Sequence, residues 1–204
     1  MYPHLPRFEE SEAPAEALAL FDRAHQKFGP APLPPALRAM GLSPVLFRDA
    51  LLNLDRVLGP AADRSERLVL SVGIAAALGA KGLAGWFDAM AEAAGVDAAQ
   101  RKASVEFALT TRTYNHFFKS RSLLDPGPIA DTQIQLRATP FVQSALDKRI
   151  VETLGVAVSV AMGCTSCTTG HVATAKAAGA TDAQIDDAIR LQAVIAGLVP
   201  LDIG

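Results

Sequence analysis

The sequence is poor in aromatic residues and in cysteine, and it has no excess of basic charge. Aromatic residues make up 6% of the 204 residues, while Ala, Leu and Val supply most of the apolar content. This balance favours closely packed helices over a β-sandwich. The chain has 19 Lys and Arg residues against 21 Asp and Glu residues, so it has no surplus of cations for phosphates. We therefore expect no nucleic-acid partner.

Signals for export and for membrane insertion are also missing. The start, MYPHLPRFEESEAP, lacks the basic segment and apolar stretch of a signal peptide. The uncharged segment 153–170 is too short and too rich in Gly, Ser and Thr for a membrane span. Two cysteines are too few for a secreted disulfide scaffold. We expect a cytoplasmic protein with no membrane partner, whose neighbouring cysteines indicate redox chemistry or metal binding.

Turn-forming residues divide the chain into helices, and no alternating strand pattern interrupts them. Half of the residues are hydrophobic, which is enough to bury a core. We expect helices at 15–28, at 44–58, from 63 to a break around Gly82 and Gly85, at 97–124, at 143–162 and at 165–178, and a last helix after a capping box of Thr181 and Gln184. The DPGP segment at 125–128 predicts the end of the long helix. The sequence therefore predicts an all-α fold.

The two halves of the chain match each other. SERLVLSVGIAAALGAKG aligns with DKRIVETLGVAVSVAMGC, and FDAMAEAAGVDAAQ aligns with HVATAKAAGATDAQ. In this match Leu70 takes the place of Glu152, and Phe87 takes the place of His171. Only the second copy carries cysteines, so we interpret the first copy as scaffold and the second as the one with the chemistry. The other interpretation is that two Ala-rich helical hairpins simply look alike.

The strongest motif is GCTSCTTGH, at residues 163–171. Cys164 and Cys167 are expected one turn apart on one face of a helix start, where N–H groups and the helix dipole favour thiolate over thiol. His171 lies one turn further along that face and is a candidate proton carrier. An attacking thiolate, a resolving thiol and a proton carrier are the groups that a thiol peroxidase requires.

Other interpretations of the motif stay open at this point. Haem attachment is excluded because Thr168, not His, follows Cys167. A thioredoxin-like protein is excluded because no βαβ pattern is present. Cys164, Cys167 and His171 are three candidate zinc ligands, with no fourth nearby in sequence. A zinc-stabilised or redox-sensing helical module and a purely structural cysteine pair therefore remain alternatives to an enzyme.

Glu152 interrupts an otherwise apolar helical segment, where a carboxylate costs free energy unless it is paired or functional. About 18 Å of helix separates it from the first cysteine, and an antiparallel following helix brings His171 back by about 10 Å. The remaining gap of about 8 Å suits long side chains or a bridging water. We therefore expect a relay from Glu152 through His171 to the second cysteine. The alternative is an exposed Glu152 paired with Arg149 or Lys148.

With Glu152, the CTSC motif at 164–167 and His171 at these spacings, the sequence resembles the AhpD-like family of alkylhydroperoxidases. This family belongs to the carboxymuconolactone decarboxylase superfamily. YNHFFKSRSL, which starts at Tyr114, is similar to the aromatic and basic helix end of AhpD proteins. The resemblance covers most of the chain from about residue 43.

The resemblance implies an all-α fold of duplicated helical units that assembles as a homo-trimer or hexamer. It implies a peroxidase, without cofactor or metal, that a lipoyl-bearing or other dithiol protein reduces. Cys167 would attack the peroxide, Cys164 would resolve the intermediate, and His171 and Glu152 would relay the proton. A carboxymuconolactone decarboxylase-type enzyme of the same fold is an alternative, but it would not need paired cysteines.

One position departs from the family pattern. AhpD proteins have a His immediately before the second cysteine, where this chain has Ser166. A hydroxyl relays a proton but does not hold a positive charge near neutral pH. His171 is therefore the only imidazole near the cysteines in sequence.

We divide the chain into an N-terminal helical extension at 1–42 and an AhpD-like domain at 43–204. Within the domain, an inactive first repeat covers about 43–124 and an active second repeat covers about 128–204. The apolar segment LQAVIAGLVPL near the C-terminus predicts a homo-oligomer, because a monomer rarely exposes so much apolar surface.

Overall fold

The structure, a computed structural model, describes residues 9–123 and 134–202. Every regular element in these two stretches is helical, which confirms the predicted all-α class. The helices are α1 (Ala15–Phe28), α2 (Pro35–Met40), α3 (Pro44–Leu58), α4 (Ala61–Leu78), α5 (Lys81–Ala93), α6 (Ala98–Ser122), α7 (Thr139–Val142), α8 (Lys148–Met162), α9 (Thr165–Ala177) and α10 (Asp182–Leu198). Short 3₁₀ turns occupy Glu10–Glu12 and Val199–Leu201. The stop predicted at 125–128 lies outside the described residues.

Helices α4, α6, α8 and α10 form the centre of the molecule. α6 packs against both α4 and α8, while α10 packs against α8, α4 and α3. Arg67 of α4 pairs with Asp187 of α10 at 2.7 Å across this centre. α9 lies at the edge and has a single fully buried residue, Ala175. One face of α9 is therefore free to form a site. Among the helices of the two described stretches, none combines the length and the apolar character needed to cross a membrane.

Two helical hairpins, α4–α5 and α8–α9, have matching caps. α4 and α8 each end at a glycine with positive φ, Gly79 at 80° and Gly163 at 66°. Glycine adopts this left-handed conformation at little cost, which explains the sharp turn at both places. A second pair of positive-φ glycines, Gly95 and Gly179, follows α5 and α9.

These caps change the alignment of the first helix in the internal match. The glycines of the two hairpins pair at the same separation in sequence as Phe87 and His171. If the same separation holds along α4 and α8, Glu152 aligns with Leu68 in the match between the two halves, and not with Leu70. Leu68 and Leu70 are both buried, so the first copy has an apolar residue at this place in either alignment.

The long helix α6 contributes one cation to each hairpin. Arg112 Nη1 donates to the carbonyl of Ala77 in the last turn of α4 at 2.6 Å. Lys119 Nζ donates to the carbonyl of Met162, at the end of α8, at 3.0 Å. Carbonyls in a last helical turn lack intrahelical partners, and positive charge is favourable there. Both cations therefore stabilise the turns that lead into α5 and α9.

Residues 9–42 pack onto the first hairpin. Phe28 of α1 contacts Trp86 of α5, with ring centroids 5.5 Å apart, and α2 also packs against α5. Asp202, after the last 3₁₀ turn, accepts a hydrogen bond from the N–H of Leu83 in the first turn of α5 at 2.9 Å. The start of α5 is thus covered by segments from both halves of the chain.

Two predicted helix boundaries are wrong by several residues. α8 begins at Lys148 rather than at 143, because the side chain of Asp147 accepts a hydrogen bond from the N–H of Arg149 and caps the helix there. α5 runs through Gly82 and Gly85, so the break lies earlier than the sequence predicted. The capping box of α10 is confirmed by both of its hydrogen bonds.

Candidate active site

The two cysteines lie where α8 turns into α9. Gly163 ends α8, and the N–H of Cys164 bonds to the carbonyl of Ser159 at 3.1 Å. Cys164 is the N-cap of α9, and Cys167 lies in its first turn. The pair therefore lies at a helix start, as the sequence predicts. The N–H groups of a first helical turn have no intrahelical partner.

The structure joins Cys164 and Cys167 in a disulfide, with Cα atoms 5.3 Å apart. Cys164 is only 4% exposed, whereas Cys167 is half-buried and lines a cavity. Ser166 Oγ lies 3.7 Å from the sulfur of Cys164. Cys167 is therefore reachable from the cavity, whereas Cys164 is buried and lies outside the cavity lining.

Glu152 contacts His171 directly. His171 Nδ1 and Glu152 Oε2 are 2.7 Å apart. Because an ionised carboxylate only accepts hydrogen bonds, Nδ1 carries the proton and Nε2 is the acceptor of the neutral imidazole. The sequence left an offset of about 8 Å along the helices, to be spanned by long side chains or by a bridging water. The structure shows a direct bond between the two side chains. Gly155 explains it, because a Cβ there would overlap the imidazole of His171.

Lys148 is the second partner of Glu152. Its Nζ pairs with Oε1, while His171 takes Oε2. Glu152 is only 6% exposed, so the alternative of an exposed Glu152 is wrong. Arg149 binds Glu66 instead, through two contacts of 2.7 and 2.6 Å.

The two partners decide the charge of Glu152. Burial on its own raises the pKa of the Glu152 carboxyl group, but the hydrogen bonds from His171 and Lys148 outweigh burial and hold this pKa below its usual value. The carboxylate is therefore ionised at neutral pH. It can balance a positive charge that develops on the imidazole of His171.

In the part of the chain that the structure describes, no hydrogen bond joins His171 to Cys167. The two side chains lie one turn apart on α9 and line the same cavity. The last step of the predicted relay therefore has no direct hydrogen bond in the structure.

The cavity lies between α6, α7, α8 and α9 and has a volume of about 570 Å³. Its lining is formed by Thr111, Tyr114, Asn115, Phe118, Phe141, Lys148, Glu152, Ser166, Cys167, Gly170, His171 and Thr174. A volume of this size is typical of pockets that bind small organic molecules.

The α6 side of the cavity was not predicted from the sequence. Thr111, Tyr114, Asn115 and Phe118 follow one helical face, a spacing that is equally typical of a core stripe. Asn115 Nδ2 donates to Ser159 Oγ at 3.0 Å and links α6 to the turn before the cysteines. Two polar residues within this stripe were the only sequence signal for a site.

Phe141 of α7 was also not predicted. The Tyr114 hydroxyl donates to the carbonyl of Leu136 at 2.7 Å, which fixes residues 134–138 beside α6. The rings of Tyr114 and Phe141 lie 5.1 Å apart. This segment joins the site only through the tertiary fold, and no local pattern marks it.

A metal site finds no support in the donor groups. Over residues 9–123 and 134–202, no three His, Cys, Asp or Glu side chains are grouped so that they could hold a metal ion. The two candidate thiolate ligands are joined to each other, and His171 bonds to Glu152.

Comparison with known proteins agrees with this architecture. The carboxymuconolactone decarboxylase family model matches residues 130–199. A relative named alkyl hydroperoxide reductase AhpD, from Anaeromyxobacter dehalogenans strain 2CP-1, is 30% identical over 151 residues, which are 72% of this chain and 80% of the relative. Proteins of the same name from Frankia alni and Mycobacteroides abscessus are 28% identical over 159 residues and 34% identical over 113 residues. These matches cover 78% and 52% of this chain, and 85% and 61% of the relatives.

The fold and the site together define a helical protein with a disulfide-forming cysteine pair at a helix start, next to a buried carboxylate–imidazole pair. The chain belongs to the AhpD-like family of the carboxymuconolactone decarboxylase superfamily. This confirms the resemblance drawn from the CTSC motif and its neighbours.

Proposed function

We propose that this protein is a thiol-dependent peroxidase that reduces organic hydroperoxides through Cys167 and Cys164. The observation that carries the proposal is the shared cavity, in which Cys167 and the hydrogen-bonded pair of His171 and Glu152 line one space. The relatives named alkyl hydroperoxide reductase support the same activity.

The different accessibility of the two cysteines supports their separate roles. Cys167 lines the cavity in the first turn of α9, so an incoming peroxide meets its sulfur first. The start of a helix also stabilises a thiolate. Cys164 is buried beside it and within disulfide distance, which suits a resolving thiol.

The proposed reaction balances without a cofactor. His171 Nε2 takes the proton of the Cys167 thiol, and Glu152 stabilises the imidazolium through Nδ1–H. The thiolate attacks the peroxide, the O–O bond breaks, and the alkoxide that leaves takes a proton from the imidazolium to give an alcohol. The Cys164 thiol then condenses with the sulfenic acid of Cys167, which gives the disulfide and water.

A dithiol must then restore the two thiols, and we propose a lipoyl-bearing or similar dithiol protein of the reducing cytoplasm. Its first thiolate attacks the disulfide to form a mixed disulfide, and its second thiol releases the enzyme. The half-buried sulfur of Cys167 is the one that such a reductant reaches.

We further infer a homo-oligomer, a trimer or a hexamer, but not through the C-terminal segment that the sequence pointed to. Leu191, Ile195 and Leu198 of α10 are buried within the chain itself. The exposed apolar side chains include Val45 and Leu52, which lie seven residues apart on one face of α3. This face supports the oligomer instead.

The test of the proposed activity is a peroxide-consumption assay with dihydrolipoamide, thioredoxin or glutaredoxin as the electron donor. We expect turnover by the wild-type protein and only background consumption by Cys167→Ser. Cys164→Ser should complete the first step alone, leaving a sulfenic acid that dimedone traps and intact mass detects. Wild-type turnover no faster than that of Cys167→Ser with every donor would contradict the proposal.

A further inference from the structure

Part of the cavity lining is aromatic. Tyr114 and Phe118 of α6 have ring centroids 6.2 Å apart, and Tyr114 and Phe141 have centroids 5.1 Å apart. We call these three residues the aromatic wall. Phe107 continues the series behind it, 5.2 Å from Phe141 and 6.2 Å from the imidazole of His171. The four rings and the imidazole of His171 thus form a continuous series of neighbouring contacts.

The aromatic wall is not fully covered by the rest of the chain. Phe118 is 36% exposed, and Tyr114 and Phe141 are half-buried. When a ligand displaces water from apolar surface inside a cavity, the burial of that surface favours binding. Aromatic rings add preferred edge-to-face and offset contacts with a ring of the ligand.

A polar group lies at the base of the same helix face. Thr111 lines the cavity and is 0% exposed, yet its hydroxyl has no hydrogen-bond partner in the described part of the chain. A buried hydroxyl without a partner costs free energy, so such groups are rare in folded proteins. An oxygen atom of a bound ligand would satisfy it.

We propose that this cavity selects hydroperoxides with an aromatic body, of the aryl-alkyl class, and that the aromatic wall and Thr111 determine this specificity. The ring of the substrate packs on the aromatic wall, and an oxygen atom of the substrate accepts a hydrogen bond from Thr111. This inference rests on the proposed peroxidase activity and adds its substrate class. Hydrogen peroxide has no body to fill a cavity of about 570 Å³.

Binding is tested apart from turnover with unreactive alcohols. We expect 2-phenyl-2-propanol, the reduction product of cumene hydroperoxide, to bind wild-type protein more tightly than 2-cyclohexyl-2-propanol or tert-butanol, measured by titration calorimetry or NMR. The cyclohexyl alcohol has the same carbon skeleton without the π-system, so it separates ring recognition from bulk. Equal affinity for the phenyl and cyclohexyl alcohols would overturn the proposal.

Variants of the aromatic wall locate the contact. Phe118→Ala and Phe141→Ala should each weaken phenyl alcohol binding, and lower kcat/KM for cumene hydroperoxide, by about ten-fold, the scale of burying part of one ring. The kcat/KM for hydrogen peroxide should fall by a smaller factor than that for cumene hydroperoxide, because hydrogen peroxide has no ring to pack on the aromatic wall. Val142→Ala is the matched control, since Val142 neighbours Phe141 on α7 but is 86% exposed and lies outside the lining. An equal loss for both peroxides in the Phe118 and Phe141 variants would contradict a specificity role.

The variant Thr111→Val should change stability and ligand affinity in different directions. The substitution keeps the shape and removes an unpaired buried hydroxyl, so the melting temperature should stay equal or rise. Binding of 2-phenyl-2-propanol should nevertheless weaken by several-fold. A variant that loses stability and keeps its affinity would show that Thr111 is structural. If no peroxide is consumed by the wild type while the phenyl alcohol binds and the wall variants weaken it, the binding site stands and the peroxidase proposal fails.

Discussion

The carboxylate of Glu152 is shared between two hydrogen-bond donors, and this division explains its place in the site. His171 holds one oxygen and Lys148 holds the other, inside an otherwise apolar stretch of α8. A buried carboxylate without these partners would be protonated more easily and would no longer orient the imidazole. Lys148 is therefore a positioning residue in our proposal, although it touches neither sulfur.

We predict that Lys148→Met moves the acid limb of the pH–rate profile to higher pH. Lys148 lowers the pKa of Glu152, so its removal raises this pKa, and the ionised form is lost earlier as the pH falls. The measurement is the rate of Cys167 alkylation and of peroxide turnover between pH 4 and 8. Lys176→Met is the matched control, because Lys176 pairs with Asp182 at the far end of α9. An unchanged acid limb in Lys148→Met would remove Lys148 from the mechanism.

Glu152→Gln tests the carboxylate itself. The wild-type carboxylate stays ionised from pH 5 to 8, because its pKa is below the usual range, so the variant should be slower by a similar factor throughout this window. We expect a factor within the roughly 10²–10⁴ of general acid–base groups. Because the pKa of Glu152 is lowered in the folded state, ionised Glu152 stabilises the fold at pH values above its unfolded-state pKa. This contribution is lost as the pH falls through the folded-state pKa. Turnover equal to the wild type across the window would make Glu152 purely structural.

For single residues, the sequence pointed to the cysteines, His171 and Glu152, which the structure brings together, but it missed the residues around them. Cys164, Cys167 and His171 share a local motif, and Glu152 stands out because a charge in an apolar helix is unusual. Thr111 is 0% exposed and belongs to a helical stripe that any core helix shows, so only the tertiary fold reveals that it faces a cavity.

Among the elements, the close approach of α8 and α9 depends on one glycine. The hydrogen bond between Glu152 and His171 requires the imidazole to lie against the backbone of α8, where Gly155 leaves space. The estimate from helix rise gave only the offset along the helix axes, and it carried no information on how closely the two helices pack.

We predict that Gly155→Ala displaces His171 and lowers both turnover and stability. The new Cβ overlaps the imidazole, which is held by Glu152 and cannot move without losing that bond. Gly197→Ala on α10 is the matched control, because nothing lies within 4 Å of its added Cβ. There the exchange should leave activity unchanged and stabilise the helix by up to about 1 kcal/mol. Peroxide turnover and thermal unfolding measure both, and equal behaviour of the two variants would contradict the packing argument.

Helix boundaries show the same limit of local reasoning. The sequence placed a break at Gly82 and Gly85, but both lie inside α5, where an added Cβ at Gly82 would strike Pro35 and Asp202. Gly82 therefore serves close packing, not a turn. The capping box of α10 was predictable, since both of its partners are three residues apart in sequence.

For the whole molecule, the two hairpins share their caps but differ in what covers the second helix. In the first, α1, α2 and Asp202 lie against α5, and Phe87 is fully buried. In the second, α9 keeps an open face, and His171, at the place of Phe87, borders the cavity. The sequence assigned the chemistry to the second copy from its cysteines and from the apolar residues that replace Glu152 and His171 in the first, and the covering of α5 agrees with this assignment.

We predict that the exposed face of α3 mediates self-association. Val45 is 69% exposed and Leu52 is 49% exposed on one face of α3, and an exposed apolar patch is typical of an interaction surface. The double variant Val45→Glu with Leu52→Glu should shift the protein to a smaller species in light scattering at micromolar concentration. Leu109→Glu, an exposed apolar position on α6, should not. A wild-type monomer at this concentration would contradict the oligomer itself.

The packing of α10 against α3 and α4 also has a consequence for the timing of synthesis. The ion pair of Arg67 with Asp187 joins residues 120 positions apart. At about 5–20 residues per second, a ribosome needs roughly 6–24 s to make the second partner after the first. During this interval the nascent first hairpin lacks the helix that buries its centre, and its apolar face is open to chaperones and to other nascent chains.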